Sequence, residues 1–237
     1  MLVVDIVSPP GDYALPNDEA TTAACLKYLI SKSIPFSIRY LKNAYFASPD
    51  GLLPLSNICG NLVSGFMSMV FTLKTFSRKS DVELDSKVLE TKNTRHIFFF
   101  WIADVFRNVT LYLTWVEPNG QRHTRGHFNS THPWPLGDYY FNRQKKLIMR
   151  FLTSANWASE DLGDVLNRFD ATCKHVSCML TDGPFVFNRK KAGKVDCLLA
   201  AYFNTFSANA KYFAVLAPII SKYPSLTRLV ASVRSFQ

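Results

Sequence analysis

The chain has 237 residues, of which 48% are hydrophobic, so it can bury the core of one large domain or two modest ones. Its formal charge of +9 suits anionic lipid headgroups or acidic protein faces, with a solvated basic surface as the alternative. The five cysteines form no CxxC pair, which excludes a disulfide scaffold and favours a reduced, cytosol-facing protein.

The first forty residues are predicted to form strands on either side of one helix. Residues 2–7 and 13–15 are both candidates for the first strand of the sheet, and the sequence alone does not decide which of them forms it. Asn17 is a good helix N-cap, and the apolar stripe behind it indicates a helix that Pro35 stops. Residues 36–40 then alternate apolar and polar side chains, as a half-buried strand does.

A hairpin and a second helix are predicted to complete this part of the chain. An irregular stretch, 43–51, precedes two strands at 52–58 and 61–63. Ser64 is placed to cap the helix that follows. This order of strands and helices is typical of a thioredoxin-like domain, in which helices cover a small mixed sheet.

The remainder of the chain is predicted to be helical. The polar segment 78–85 marks a boundary between an α+β thioredoxin-like domain at 1–78 and an all-α bundle at 79–237. The first bundle helix, 85–115, is nearly apolar all round at 97–106, which indicates burial. Further helices are expected at 159–180, 195–206, 208–221 and 226–236.

The helical part carries two candidate interaction surfaces. Residues 97–102 favour a buried central helix, and the alternative is an edge of Phe99 with Trp101 or Phe106 that faces a partner, since aromatics make good interface anchors. Two basic clusters form a candidate surface for lipid or an acidic partner: Arg143, Lys145, Lys146 and Arg150, then Arg189, Lys190, Lys191 and Lys194. The apolar runs 97–103 and 213–220 are shorter than the roughly 20 residues that span a bilayer.

The residue patterns predict no metal ion, no cofactor and no nucleic-acid partner. His123, His127 and His132 are loosely spaced with no cysteine nearby, so a structural or exposed role is expected for them. Cys173 and Cys178 are five residues apart on one helix and off a common face, which favours core packing. The chain has no P-loop, GxGxxG or nucleophile-elbow motif, and no aromatic-basic interleaving of an RNA-binding motif.

The layout of a thioredoxin-like part followed by a helical part resembles that of glutathione transferases. Leu53-Pro54-Leu55 resembles the segment that carries the cis-proline of that fold. Ser64 is at the position that binds the γ-glutamyl group of glutathione, and Asp196 resembles a buried, helix-capping aspartate. Structural roles are expected for Pro54, Ser64 and Asp196, and for Trp134 in a bend fixed by the prolines at 133 and 135.

Within that fold the sequence is similar to the metaxin family over nearly its whole length, from Asp12 to Val233. The stretches that carry the similarity are DGLLP at 50–54, YLTW at 112–115, PWPL at 133–136, and FVFN at 185–188 leading to Val195-Asp196. The resemblance implies a binding subunit on the cytosolic face of the mitochondrial outer membrane, paired with a second metaxin. It also implies work with the sorting and assembly machinery in importing β-barrel proteins, and a link to kinesin transport through adaptors and a Rho-type GTPase.

A residual glutathione-dependent transferase is the alternative, and the residues count against it. Glutathione transferases need a Tyr, Ser or Cys just after the first strand. That position here is Pro16-Asn17-Asp18, while Tyr13 lies within a candidate strand. Val63 stands where glutathione-binding proteins carry Glu or Gln. We therefore expect no enzyme activity, and membrane association through a protein partner.

Overall fold

The computed structural model describes residues 3–42, 44–48, 51–79, 89–180, 183–187 and 191–234. Most of the predicted boundary segment, 78–85, lies outside these residues. Before it lie the strands and three helices, and after it the described residues contain helices and no strand. This arrangement is the predicted one of an α+β part followed by a helical bundle.

The first part is built on a four-stranded sheet in the order β2-β1-β3-β4. Its strands are β1 Val4–Ser8, β2 Phe36–Tyr40, β3 Leu55–Ile58 and β4 Asn61–Ser64. β1 pairs parallel with β2 and antiparallel with β3, and β3 pairs antiparallel with β4. The first strand is therefore β1, whereas Tyr13 lies in a 3₁₀ turn, Gly11–Tyr13, between β1 and the first helix.

Three helices accompany this sheet: α1 Pro16–Ser31, α2 Ala44–Ala47 and α3 Gly65–Lys79. The predicted N-cap at Asn17 is wrong, because Leu15 occupies that position and Pro16 is the first helical residue, where a fixed φ favours the helix. The stretch predicted to be irregular contains α2. The Leu53–Pro54 bond is cis, as predicted.

The bundle contains the helices α4 to α11. They are α4 Leu89–Trp115, α5 Pro118–Thr131, α6 Leu136–Ser154, α7 Leu162–Cys178, α8 Lys194–Ala208, α9 Ala210–Phe213, α10 Ala217–Ser221 and α11 Pro224–Arg234. The α4 side chains at 99, 102, 106 and 109 are fully buried and share one helical face. Phe106 lies at the centre of this core, with its ring 5.3–6.0 Å from those of Phe169, Tyr202, Phe203 and Phe206.

The two parts join where α1 packs against α8. The Tyr202 hydroxyl donates to Asn17 Oδ1 at 3.1 Å, and Asn209 Nδ2 donates to Glu19 Oε2 at 2.8 Å. These bonds connect residues almost two hundred positions apart and fix the helical bundle against the sheet domain.

The cysteines divide into two groups by exposure. Cys25, Cys173 and Cys197 are buried, and burial raises the pKa of each thiol, to about 12 for Cys197. Cys59 and Cys178 are exposed, and all five thiols are free. Core packing therefore holds for Cys173, whereas the same prediction is wrong for Cys178 at the end of α7.

Candidate functional site

Ser64, at the position that the resemblance to glutathione transferases assigns to the γ-glutamyl group, has its hydroxyl hydrogen-bonded within the fold. Ser64 ends β4 directly before α3 and is buried. Its Oγ lies 3.2 Å from the Oγ of Ser48, which donates to the carbonyl of Leu52 at 2.7 Å. The Ser64 hydroxyl is thus engaged within the fold by the residue that follows α2.

A second contact fixes α2 over the start of α1. The Tyr45 hydroxyl donates to Asp18 Oδ2, and both groups are enclosed. Burial raises the pKa of Asp18 to about 7, although the bond from Tyr45 acts in the opposite direction. Burial and the neighbouring Asp18 likewise raise the pKa of Tyr45. Beside them the Thr21 hydroxyl donates to the carbonyl of Leu53 at 2.8 Å, so the carbonyl that precedes Pro54 also has a hydrogen-bond partner within the fold.

A small cleft, with a cavity volume of about 30 Å³, lies beside Tyr45. Its walls come from the β1–α1 connection, the α2 region, α5 and α6, and are lined by Tyr13, Lys42, Tyr45, His127, Phe128, Thr131, His132, Tyr140, Arg143 and Gln144. Among the described residues, the lining combines cationic side chains with aromatic rings and includes no acidic residue. Its electrostatics therefore favour an anionic group.

Tyr13 is the cleft residue that sequence reasoning placed wrongly. Because β1 ends at Ser8, Tyr13 belongs to the connection in which transferases carry their catalytic hydroxyl or thiol, and not to a strand. Lys42 Nζ lies 5.2 Å from the centroid of its ring, and His132 packs edge-on at 6.0 Å. Nearby, desolvation lowers the pKa of His127, which favours its neutral form.

The three histidines do not converge on a metal site. Over the described ranges, no group of three His, Cys, Asp or Glu side chains is placed to hold a metal ion. His123 packs edge-on against Tyr212 with ring centroids 5.7 Å apart, and His132 packs against Tyr140 at 4.9 Å. Aromatic contacts therefore account for the positions of these two imidazoles.

Asp196 is buried, and its carboxylate is hydrogen-bonded to backbone N–H groups that precede α8. Its carboxylate accepts backbone N–H bonds from Val186 at 2.7 Å and Gly193 at 2.8 Å. It is the third residue of α8, and the bond from Gly193 is the return half of a capping box. The side chain fixes the start of α8 to the preceding loop.

The proposed aromatic partner edge is wrong for two of its three residues. Phe99 and Phe106 are completely buried in the core, whereas Trp101 is 38% exposed. The exposed companions of Trp101 are instead Phe100 and Ile97. The turn of the helix separates these two sets, because positions 99 and 106 lie on the face opposite to 97 and 101.

The two basic clusters also contain both exposed and half-buried residues. Arg143, Lys146 and Arg150 are exposed on α6, while Lys145 is half-buried; Lys191 is exposed. Lys194 is half-buried, with its Nζ 4.3 Å from the centroid of Phe99, which contradicts a lipid-facing role. Arg189 and Lys190 lie outside the described residues.

Trp134 is the most exposed large apolar side chain of the described residues, at 88%. It stands in the turn between α5 and α6, and its peptide bond to Pro135 is cis. A turn is therefore present where the bend was predicted, and the indole itself does not pack into the fold.

Within the described part of the chain, one helix has the length and apolar composition of a membrane span. This segment, Arg95–Trp115 of α4, has 67% of its most apolar window buried inside the protein. The apolar run at 97–103 is thus part of a longer apolar segment than predicted. Its burial and its position in the core identify it as the central helix of the bundle.

Comparison with known proteins gives a family and a fold. The family model for Tom37, an outer mitochondrial membrane transport complex protein, matches residues 21–145. The metaxin-2 homolog of Caenorhabditis elegans is 28% identical over 181 residues, covering 72% of this chain and 73% of that protein. Metaxin-2 of Mus musculus is 23% identical over 217 residues, covering 91% of this chain and 81% of that protein.

Solved structures with similar backbones are glutathione transferases and a related etherase. The beta-etherase LigF from Sphingobium sp. strain SYK-6 superposes with a TM-score of 0.62 at 14% identity, covering 98% of this chain and 95% of its own. Glutathione transferase GSTFuA3 from Phanerochaete chrysosporium gives 0.59 at 11% identity, covering 99% and 97%. At such identities the likeness establishes the glutathione-transferase-like fold, as predicted, and nothing of the chemistry.

Proposed function

We propose, from the premise that this chain belongs to the family of outer mitochondrial membrane transport complex proteins, that it is a non-catalytic binding subunit of a metaxin complex. It acts on the cytosolic face of the outer membrane, in protein import and the assembly of β-barrel proteins. Its partners are a second metaxin and the sorting and assembly machinery. A kinesin adaptor and a mitochondrial Rho-type GTPase connect the same complex to transport along microtubules.

The observation that carries the non-catalytic part of this proposal is the closure of the glutathione position. Ser64, which the resemblance assigns to the γ-glutamyl position, already has Ser48 as a partner, and Tyr45 connects α2 to the buried Asp18. Opening this position would break both contacts and expose a carboxyl group that burial has made weakly acidic. These internal bonds support a non-catalytic role for the chain.

Residual transferase activity is the alternative, and Tyr13 is the residue that favours it. Its place in the β1–α1 connection leaves an aromatic hydroxyl at the edge of the cleft. Conjugation of glutathione to a standard electrophile separates the two functions. We expect equal, background rates for the wild type and for Tyr13→Phe. A rate well above background that Tyr13→Phe abolishes would replace the proposal with an enzyme.

Co-purification tests the binding function directly. The tagged chain, extracted from outer membranes in mild detergent, should retain a second metaxin in fixed proportion. Depleting that partner should release the chain to the cytosol, because charge alone is screened within about 8 Å at physiological salt. Retention of the chain at the membrane after complete depletion would show that it is not anchored by that partner.

A further inference from the structure

The cleft beside Tyr45 is built by elements from both parts of the chain. Tyr13 lies in the β1–α1 connection, and Lys42 follows β2. His127 lies on α5, and His132 comes directly after that helix. The His127 imidazole is hydrogen-bonded to the backbone of Tyr13, which joins α5 to the β1–α1 connection. Lys42 is exposed and the other three side chains are half-buried, so the cleft is a recess that solvent reaches.

The size of the cleft limits what it can hold. Its volume is about 30 Å³. A single water molecule needs roughly 10–15 Å³, so there is room for about two water-sized groups, which is the bulk of one carboxylate. Binding sites for whole small molecules are far larger. The cleft therefore fits one functional group at the end of a side chain, and not a complete peptide or cofactor.

Lys42 gives the cleft a positive charge that is held in place. None of the ion pairs among the described residues involves Lys42. Its Nζ lies 5.2 Å from the centroid of the Tyr13 ring, so a cation–π contact positions the ammonium before a ligand arrives, which lowers the entropy lost on binding. Arg143 also lines the cleft, but it already has an interaction within the chain, so we assign it no contact with the ligand.

His132 is also fixed, with one of its two nitrogens engaged. Its Nδ1 lies 3.0 Å from Thr131 Oγ1 and 3.3 Å from the carbonyl oxygen of Phe128. The ring packs edge-on against Tyr13, with centroids 6.0 Å apart. These contacts leave Nε2 as the nitrogen that can donate to a ligand when the imidazole is protonated.

The carboxyl groups near the cleft are exposed or bonded elsewhere. Asp12 precedes Tyr13 and is exposed. Asp18 is buried and accepts from the Tyr45 hydroxyl, while Asp138 is paired with Arg125 at 2.8 Å. Among the described residues none of these lines the cleft, so its cation has no carboxylate partner inside the chain.

We propose that the cleft binds the carboxylate of a Glu or Asp side chain on an acidic segment of a protein partner. Lys42 pairs with the carboxylate, and the Tyr13 hydroxyl and His132 Nε2 donate to it. A carboxylate at the end of a flexible side chain can enter a recess of this size, whereas a lipid phosphate is larger and is held in a bilayer surface. The inference rests on the proposed function, because a binding subunit is what brings a partner segment to this recess.

Titration of the purified chain with an end-blocked Gly-Glu-Gly peptide is the test, followed by the NMR signals of the histidine imidazoles. The signals of His127 and His132 should shift saturably. Those of His96 and His175, which lie on α4 and α7, should not move. The matched Gly-Gln-Gly peptide has the same shape without the charge, and it should give no saturable shift. Equal binding of the two peptides would overturn the proposal.

Variants of exposed cations make the result specific. Lys42→Gln should weaken binding of the Glu peptide by roughly tenfold, because a charge-assisted hydrogen bond is lost. Circular dichroism should show an unchanged fold, since Lys42 is exposed. Arg122 is an exposed cation of α5 that does not line the cleft, and Arg122→Gln should bind like the wild type. Equal losses in the two variants would reduce the effect to net charge and overturn the proposal.

Inorganic phosphate and vesicles containing phosphatidylserine separate the other anions from a carboxylate. If phosphate shifted His127 and His132 while the Glu peptide did not, the occupant would be a phosphate group and the proposal would be overturned. Vesicle binding that Lys42→Gln abolishes, with no peptide binding, would overturn it in favour of a lipid surface.

Failure here is distinguishable from failure of the proposed function, because the peptide titration contains no partner protein. A wild type that ignores the Glu peptide yet co-purifies with a second metaxin would remove the carboxylate site and keep the binding subunit. In the co-purification itself, Lys42→Glu should retain several-fold less of the partner than Arg122→Glu does. Full retention of the partner by Lys42→Glu would overturn the cleft as a partner contact.

Discussion

Helices α4 and α6 pack against each other in the bundle, and they use their apolar side chains in opposite ways. The apolar side chains of α4 are mostly covered by neighbouring helices. Phe106, for example, contacts rings from α7 and α8. In contrast, α6 is charged in composition and leaves Tyr139 and Leu147 in solvent. Hydrophobicity along the chain therefore does not locate a binding surface, since an apolar helix is most often a covered one.

The largest expected effect comes from removing the centre of the α4 core. Phe106→Ala deletes a ring packed against four others and should lower the free energy of unfolding by about 3–5 kcal/mol. Urea unfolding followed by circular dichroism measures this loss. Phe100→Ala, on the exposed edge of the same helix, is the control and should cost much less. Equal losses would break the distinction between the two faces of α4.

The difference between buried and exposed positions should also hold for polar groups, as the carboxylates of Asp196 and Asp161 can test. Asp196→Ala leaves the N–H groups of Val186 and Gly193 without their acceptor, and should cost roughly 2–4 kcal/mol. Asp161 caps α7 from an exposed position, where its carboxylate accepts from the Asp164 N–H at 2.7 Å. Asp161→Ala should cost about 0.5–2 kcal/mol, because water can replace the lost acceptor. Matched urea titrations compare the two caps, and a larger loss at Asp161 would contradict the geometry.

The buried carboxyl group of Asp18 should make the free energy of unfolding depend on pH. Its pKa is raised from 3.8 to about 7 in the folded protein, so between these values the folded chain holds a proton that the unfolded chain has lost. The free energy of unfolding should consequently fall as pH rises through this window, by up to about 1.4 kcal/mol per pH unit. Above pH 7 this group contributes no further slope.

Asp18→Asn should flatten this dependence, as urea unfolding at a series of pH values will measure. Tyr45→Phe removes the bond that lowers the pKa of Asp18, and should extend the slope to higher pH. If wild type and Asp18→Asn showed the same slope, another group would be responsible for it.

The smallest effects on stability are expected at exposed residues of α6. Tyr139→Ala and Leu147→Ala remove exposed side chains and should change the free energy of unfolding by less than about 0.5 kcal/mol. Leu152→Ala, on the buried face of the same helix, should cost about 2–5 kcal/mol. Thermal unfolding of the three variants measures both faces, and a large loss at Tyr139 would mean that the outer face is covered.

The features that depend on local chemistry were predictable from the sequence. The hairpin at Cys59-Gly60, the proline bond at Pro54 and the carboxylate of Asp196 all depend on neighbours close along the chain. The prediction that Asn17 is the N-cap is wrong because the proline one residue earlier takes the first helical position. The two faces of α4 could have been separated from the sequence, since Phe99 and Phe106 lie seven residues apart and share a face.

The candidate site was not predictable in the same way, because its parts come from distant segments. Tyr13, Lys42 and His127 meet in the cleft only after α5 packs beside the β1–α1 connection. The sheet pairing that makes Val4–Ser8 the first strand also moves Tyr13 out of any strand. Trp134 stands in the turn between α5 and α6 and is exposed, whereas Trp115 ends α4 and is buried.

Because three of the five thiols are buried and two are exposed, their labelling rates can report local opening of the structure. At neutral pH a thiol reagent should modify Cys59 and Cys178 quickly. The three buried thiols should react more slowly, because the surrounding structure must open before the reagent reaches them. Cys25 sits on α1, Cys173 on α7 and Cys197 on α8, so each labelling rate measures the opening of a different helix. Mass spectrometry of partly labelled chains would thus rank the helices by the free energy needed to expose them.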